Sequence, residues 1–288
     1  MYSGERPETA SGSHREVCLE DRKDIVKRLA TFVALTFAIS SFFMAWAISA
    51  GDIGAGGGLA AMGGMSSPGI AAILTQLIHR RSLRGFGWGW GKTRYQVWSY
   101  GLPLLYVGAV HGIVWMAGLG GFNPSPLTSG LGTTLKTIVL TTLFGSIFAL
   151  GEEIGWSGLF VPLLAKIGGF TQTALGRGLV WSVWHYPLII GGVYGPANVP
   201  VSYRLVFFTI TMTCVSFAFT WMRLKSGSLY TGMWMHASHN LFFQDIFDRL
   251  TAPTDSTPYL VDEFGAVSAG VAIVVALIFW SQRRRLEG

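Results

Sequence analysis

Eight apolar runs divide this chain, and each is long enough to cross a bilayer as a helix. A transmembrane helix needs about 20 predominantly apolar residues. Only 12% of the residues are charged and 50% are hydrophobic, whereas soluble domains carry about 25% charged residues. The sequence therefore predicts an all-α, polytopic membrane protein with about eight transmembrane helices. The predicted spans are 29–50, 57–78, 96–118, 134–164, 178–195, 205–222, 229–247 and 264–281.

Basic residues predict the orientation of these spans. The chain contains 21 Lys and Arg residues, and membrane proteins concentrate such residues on the cytoplasmic side. With a cytoplasmic N-terminus and eight crossings, only Lys136, Arg204 and Arg249 fall on the outer side. Both termini are therefore predicted to be cytoplasmic. The same topology accounts for the net charge of +6, so we predict no nucleic-acid partner.

The predicted organisation is a single membrane domain with short polar ends. Residues 1–28 form a cytoplasmic N-terminal segment, and residues 282–288 form a cytoplasmic tail. Residues 29–281 form the transmembrane helical domain, whose predicted catalytic core is 134–247. The fourth run, 134–164, is overlong and rich in glycine near its end, so we expect this helix to tilt or break.

Two adjacent acids stand out within the apolar runs. Between Asp52 and Asp245 the only acidic residues are Glu152 and Glu153, in the stretch "FALGEEIGWSG". An ionised side chain at the centre of a membrane helix costs about 2.5–3.5 kcal/mol. Such residues are either paired to lock helices together or used in a functional site.

Histidines and an asparagine in two later runs favour a functional site. His185 lies in "VWSVWHYPL", and "MWMHASHNL" contains His236, His239 and Asn240. His236 and Asn240 are spaced i, i+4, which places them on one helix face. We expect His239 to support the site or the structure. Two further histidines, His79 and His111, are expected to make ordinary helix–helix hydrogen bonds.

The predicted spans bring these groups to a similar depth on the cytoplasmic side. A carboxylate with a histidine can take a proton from water, and a second histidine with an amide can stabilise an oxyanion. Alternatively, Glu152, His185, His236 and Asn240 can bind one divalent metal ion, zinc, which would generate the hydroxide. Asparagine is a poor zinc ligand, so the metal-free route is favoured. Both routes lead to amide hydrolysis within the membrane.

The stretches "EEIGWSG", "WSVWH" and "HASHN" resemble the three motifs of the CPBP family of intramembrane proteases. That family includes the type II CAAX prenyl endopeptidases and the bacterial Abi-type proteins. The resemblance implies that Glu152 is the general base on water, assisted by His185, and that Glu153 supports it. It implies that His236 and Asn240 stabilise the oxyanion, or that Glu152, His185, His236 and Asn240 are metal ligands.

One position departs from the family pattern. The first motif has Arg four residues after the second Glu, but this chain has Ser157. Either Glu153 is protonated or paired with another base such as Lys166 or Arg177, or the site is degenerate. Trp181, at the aromatic position of the second motif, and Trp156 are expected to pack beside the site.

Three functions remain open at this stage. The first is an intramembrane endopeptidase acting on a peptide or protein substrate, such as a prenylated CAAX protein or a bacterial leader peptide. The second is a non-catalytic scaffold or regulator of the same family, and the third an ion-coupled transporter. Each requires an integral membrane protein in contact with lipid, in the cell membrane if the host is bacterial or archaeal. The predicted active site faces the cytoplasm, and the sequence does not indicate an oligomeric state.

Overall fold

The computed structural model describes residues 10–128 and 130–286, and helices make up most of them. The long helices are α1 (Ala10–Ala50), α2 (Leu59–Arg80), α3 (Thr93–Met116), α4 (Leu131–Glu153), α6 (Phe170–Ile190), α7 (Val201–Ser226), α8 (Tyr230–Leu241) and α10 (Ala266–Ser281). Two short helices, α5 (Val161–Ile167) and α9 (Thr257–Leu260), accompany them. The strands are β1 (Gly121–Phe122) and β2 (Thr251–Ala252), which pair antiparallel.

The predicted helical class is confirmed, and the protein is an integral membrane protein by its apolar helices. Within the described residues, five helical stretches are long and apolar enough to cross a membrane, and α10 is a shorter apolar helix. The five stretches are Arg22–Ala50, Leu59–Arg80, Thr93–Met116, Gly132–Ile167 and Val201–Ser226. The count of eight spans and the cytoplasmic position of both termini remain predictions.

The structure describes part of each predicted terminal segment. Helix α1 begins at Ala10 and runs without a break through the predicted boundary at residue 29. Residues 1–9 of the predicted N-terminal segment and residues 287–288 of the predicted tail lie outside the described residues.

The overlong fourth run changes its helical winding directly after the acid pair. Helix α4 ends at Glu153, and a π-helical segment, Ile154–Phe160, joins it to α5. Helix α2 packs closely against this point, since a Cβ on Gly155 would lie 2.7 Å from the backbone of Pro68. π-Helical turns inside α-helices often mark functional sites. The segment thus fixes the direction in which the two acids point.

Helix α6 begins earlier than the sequence predicts. We expected the fifth span to start at residue 178, after a charged residue, but α6 begins at Phe170. Its first turn is stabilised because the side chain of Gln172 accepts a hydrogen bond from the Gly169 N–H at 3.0 Å. Arg177 does not end the apolar helix, because its charge is buried and paired inside the bundle.

Candidate active site

The predicted polar residues meet at one cavity of about 120 Å³. Glu152 comes from α4, His185 from α6, and His236 and Asn240 from α8. The rest of the wall is largely apolar and includes Phe43 from α1 and Met65 from α2, among other residues. The helices thus bring together four of the five predicted catalytic residues at the cavity, and the fifth, Glu153, lies directly behind them.

Glu153 is fully buried and has three hydrogen-bonding partners. The Arg177 guanidinium lies 2.9 Å from Glu153 Oε1, and His236 Nδ1 lies 3.1 Å from the same oxygen. The Ser157 hydroxyl donates to Glu153 Oε2. Of the two bases considered as partners for Glu153, Arg177 is the one observed, whereas Lys166 is exposed and lines a different cavity. A carboxylate held in this way is a structural anchor.

The Arg177 side chain is itself held from several directions. Its Nη1 donates to Ser216 Oγ at 3.0 Å, and its guanidinium lies over the rings of Trp181 and Phe219, at 4.7 Å and 4.2 Å from their centroids. A buried ion pair needs such additional partners, because both charges have lost their hydration. Arg177 therefore links α4, α6 and α7 at the acid pair.

Glu152 has a different environment from its neighbour. Two indole N–H groups donate to its Oε2, from Trp156 at 3.2 Å and from Trp181 at 3.0 Å. Its Oε1 makes no hydrogen bond with another described residue, and His236 Nε2 lies 4.0 Å from it. Glu152 also lines the cavity. Its carboxylate is therefore oriented through one oxygen and can accept a proton at the other.

The two tryptophans thus do more than was expected of them. Trp156 and Trp181 were predicted to pack beside the site, and both rings are buried as expected. In addition, each indole donates a hydrogen bond to the same oxygen of Glu152. The aromatic position of the second motif therefore orients the carboxylate of the first.

The hydrogen bonds of the two histidines define which ring nitrogens are available. His185 Nδ1 lies 2.9 Å from the Trp181 carbonyl oxygen. A carbonyl can only accept, so Nδ1 donates and Nε2 is left with its lone pair. His236 Nδ1 donates to the Glu153 carboxylate by the same argument. The amide of Asn240 makes no hydrogen bond with another described residue, and it lines the cavity.

Gly232 in α8 makes room for the acid pair. A Cβ on Gly232 would lie 2.5 Å from Glu153 Oε2 and would collide with the hydroxyl oxygen of Ser157. Real Cβ atoms do not approach other atoms so closely. Only glycine at this position lets α8 approach closely enough for His236 to reach Glu153.

A third buried carboxylate, which sequence reasoning missed, lies on the same cavity. Glu263, from the loop after α9, accepts hydrogen bonds from His239 Nε2 and Gln244 Nε2, each at 3.1 Å, and from the Tyr194 hydroxyl. His239 Nδ1 in turn lies 2.5 Å from the Tyr106 hydroxyl. His239 therefore has the supporting position we expected. No motif marks Glu263, because the contact arises from a loop folding back onto α8.

His79 makes the helix–helix contact expected of it, whereas His111 contacts a strand residue instead of another helix. His79 in α2 lies 3.0 Å from the Thr31 hydroxyl of α1, and His111 in α3 lies 2.8 Å from the Thr251 hydroxyl of β2. Neither residue lines the cavity.

The residues do not support the predicted alternative of a zinc site. Among the described residues, no group of three or more His, Cys, Asp or Glu is arranged to hold a metal ion. We therefore derive no step of the chemistry through a metal.

The cavity has wall residues that bear on the predicted cytoplasmic access, which stays a prediction. Its wall includes Ile53, Tyr194 and Glu263, which lie in connections that the predicted topology assigns to the outer side. Because α6 begins at Phe170, His185 lies about four turns into the helix rather than two. The geometry therefore does not support an active site that opens toward the cytoplasm.

Comparison with known proteins gives a family match for the central segment. The sequence model of a family described as type II CAAX prenyl endopeptidase Rce1-like matches residues 134–242. This segment contains every residue of the three motifs, and the match confirms the predicted CPBP resemblance. Among curated proteins, none matches the chain.

Proposed function

We propose that this chain, whose residues 134–242 match the sequence model of the Rce1-like type II CAAX prenyl endopeptidase family, is an intramembrane endopeptidase. The family supports protease activity in general terms and a peptide or protein as substrate. The proposal assigns the hydrolysis to Glu152, and the single observation that carries it is the free Oε1 of this buried carboxylate on the cavity wall.

In the proposed reaction, Glu152 Oε1 accepts a proton from a water molecule, and the resulting hydroxide attacks the carbonyl carbon of the scissile peptide bond. His185, with a free Nε2 on the same cavity, assists in orienting the water. Glu152 then gives the proton to the leaving amine nitrogen as the C–N bond breaks. A positioned general base of this kind typically contributes on the order of 10²–10⁴-fold to the rate.

Two donors on α8 would stabilise the tetrahedral intermediate. The amide of Asn240 and a protonated His236, whose charge is neutralised by Glu153 at 3.1 Å, can both donate to the oxyanion. Preorganised donors in a site that excludes water are worth far more than the same groups in water. Glu153 does not react in this mechanism, because all of its hydrogen bonds hold Arg177, Ser157 and His236 in place.

The alternative of a non-catalytic scaffold rested on the absence of arginine at position 157. The salt bridge from Arg177 removes the main reason for it, because Glu153 has a cationic partner from another helix. An ion-coupled transporter gains no specific support from the described contacts. The endopeptidase is therefore the function that the geometry favours.

The test measures cleavage of a fluorogenic peptide library by the purified protein in detergent. The wild type is compared with Glu152→Gln, and each protein is assayed with and without a strong zinc chelator. We expect the wild type to cleave peptides both with and without the chelator, and we expect Glu152→Gln to cleave none. Loss of wild-type cleavage in chelator would replace the metal-free mechanism with a metalloprotease. No cleavage under any lipid or peptide condition would favour the scaffold.

A further inference from the structure

A second cavity has a volume of about 500 Å³. It is separate from the active-site cavity and lies next to the π-helical segment that follows the acid pair. Gly158 and Leu159 of that segment form part of its wall. Four cationic side chains line it, and none of the described lining residues is acidic. The four are Arg28 from α1, Arg80 from α2, Arg84 from the following loop and Lys166 from α5. Like charges repel, so their convergence on one concavity needs an explanation.

Arg28 is the most informative of these residues. It is only 6% exposed, and its Nε has no hydrogen-bond partner in the part of the chain that the structure describes. Its Nη2 donates to Gln76 Oε1 at 2.5 Å, while the nearest carboxylate oxygen, of Asp24, is 3.8 Å from Nη1. An unpaired buried donor is costly. A bound anion would remove that cost.

The other cations leave most of the positive charge unbalanced. Arg80 pairs with Asp24, the same acid that lies near Arg28. The side chains of Arg84 and Lys166 make no hydrogen bond or ion pair with another described residue, and both are exposed. Gln76 connects the wall, because it accepts from Arg28 and donates to the Arg84 carbonyl at 3.1 Å. The four cationic side chains therefore have one acidic neighbour, Asp24, in the ion pairs of the described residues.

We propose that this cavity binds a phosphate group, carried either by an anionic lipid headgroup or by a free phosphate. The planar guanidinium group of arginine matches two phosphate oxygens in geometry and charge. Basic pockets between membrane helices on the cytoplasmic side bind anionic lipid headgroups. The residues lie at the helix ends that the charge distribution predicts to be cytoplasmic. Cations placed there only to set topology would be hydrated and separate, whereas Arg28 is buried against the cavity.

The experiment uses the full-length protein, purified and stripped of lipid, and follows its thermal midpoint during titration. The probes are phosphatidylglycerol, phosphatidylcholine with the same acyl chains, and inorganic phosphate against sodium chloride at matched ionic strength. The test variant is Arg84→Gln/Lys166→Gln, because neither side chain has a partner whose loss would disturb the fold. The control variant is Lys136→Gln/Arg284→Gln, which removes the same charge from exposed positions outside the cavity.

We expect saturable stabilisation of the wild type and the control. The apparent affinity should be about 100-fold weaker in the test variant, because the variant removes two charge-assisted hydrogen bonds and each is worth about a factor of ten. Stabilisation by phosphatidylglycerol alone would identify a lipid headgroup, and equal stabilisation by inorganic phosphate would identify a free phosphate. Equal affinity of the test and control variants would overturn the proposal, as would stabilisation that sodium chloride reproduces.

Discussion

Arg177 of α6 pairs with Glu153 of α4 through a 2.9 Å contact between two side chains that are completely buried. In the motif that this chain resembles, the cation would come from position 157, on the same helical stretch as the acids. Here that position is Ser157, whose hydroxyl donates to the same carboxylate. In this chain the cationic partner of Glu153 therefore comes from a neighbouring helix and not from the first motif.

This relationship predicts that Arg177→Gln abolishes or strongly reduces cleavage. Removing one partner of a buried ion pair leaves an uncompensated charge, at a cost of about 3–5 kcal/mol. The measurement is kcat/KM together with the thermal midpoint, in parallel with Arg249→Gln. Arg249 forms an exposed ion pair with Asp245, so its loss should leave both quantities nearly unchanged.

A rescue experiment tests whether an arginine at position 157 can replace Arg177 as the cationic partner of Glu153. Adding Ser157→Arg to the Arg177→Gln variant should restore part of the lost activity, because position 157 lies one turn from Glu153 and can present a guanidinium to it. If Arg177→Gln alone retained full activity and stability, Arg177 would not be the partner on which Glu153 depends.

Gly232 offers a steric test of the same region. We expect Gly232→Ala to lower both activity and the thermal midpoint, because its Cβ would lie 2.5 Å from Glu153 Oε2. The matched control is Gly112→Ala in α3, where a Cβ meets nothing within 4 Å. Equal behaviour of the two variants would mean that α8 can move away from the acid pair without loss.

Asp262 predicts a pH dependence of stability. Burial, and then the charge of Glu263, raise the pKa of Asp262 from 3.8 to about 7. A raised carboxyl pKa means that the folded protein binds the proton more tightly than the unfolded chain, so this group's contribution to stability falls as the pH rises from about 4 to 7. Asparagine cannot ionise and tolerates the left-handed backbone of this residue, φ 63°. We expect Asp262→Asn to raise the thermal midpoint at pH 8 and to leave it unchanged at pH 4. No difference at pH 8 would contradict the shift.

The cavity predicts the side from which the site is reached. In a variant whose native cysteines are replaced, Gln244→Cys on the active-site cavity should react with an impermeant maleimide from the side opposite to Lys166→Cys. The comparison uses right-side-out and inverted vesicles. Labelling of both positions from the same side would contradict the placement of the two cavities at opposite ends of the bundle.

The sequence predicted the features that depend on composition and short-range spacing. Apolar runs gave the helical class, and the i, i+4 spacing of His236 and Asn240 brought both to the cavity. The start of α6 was predicted wrongly, because a charged residue was taken to end an apolar helix. Arg177 is tolerated there only because Glu153, on another helix, lies beside it.

Long-range contacts account for what sequence reasoning missed. Glu263 reaches the cavity through the loop after α9, and no local pattern indicates that its partners are Tyr194 and His239. The Trp156 indole that donates to Glu152 lies in the segment whose winding changes after Glu153, which propensities do not predict. Such contacts are determined by the packing of distant segments.

The central claim is that two adjacent acids have separate roles, and the direct measurement compares Glu152→Gln with Glu153→Gln. Both kcat and the thermal midpoint would be recorded for each purified variant. We predict that Glu152→Gln loses on the order of 10²–10⁴-fold in kcat with a nearly unchanged midpoint, whereas Glu153→Gln lowers the midpoint markedly because Arg177 is left unpaired. Full activity in Glu152→Gln, or the reverse assignment of the two effects, would contradict the account.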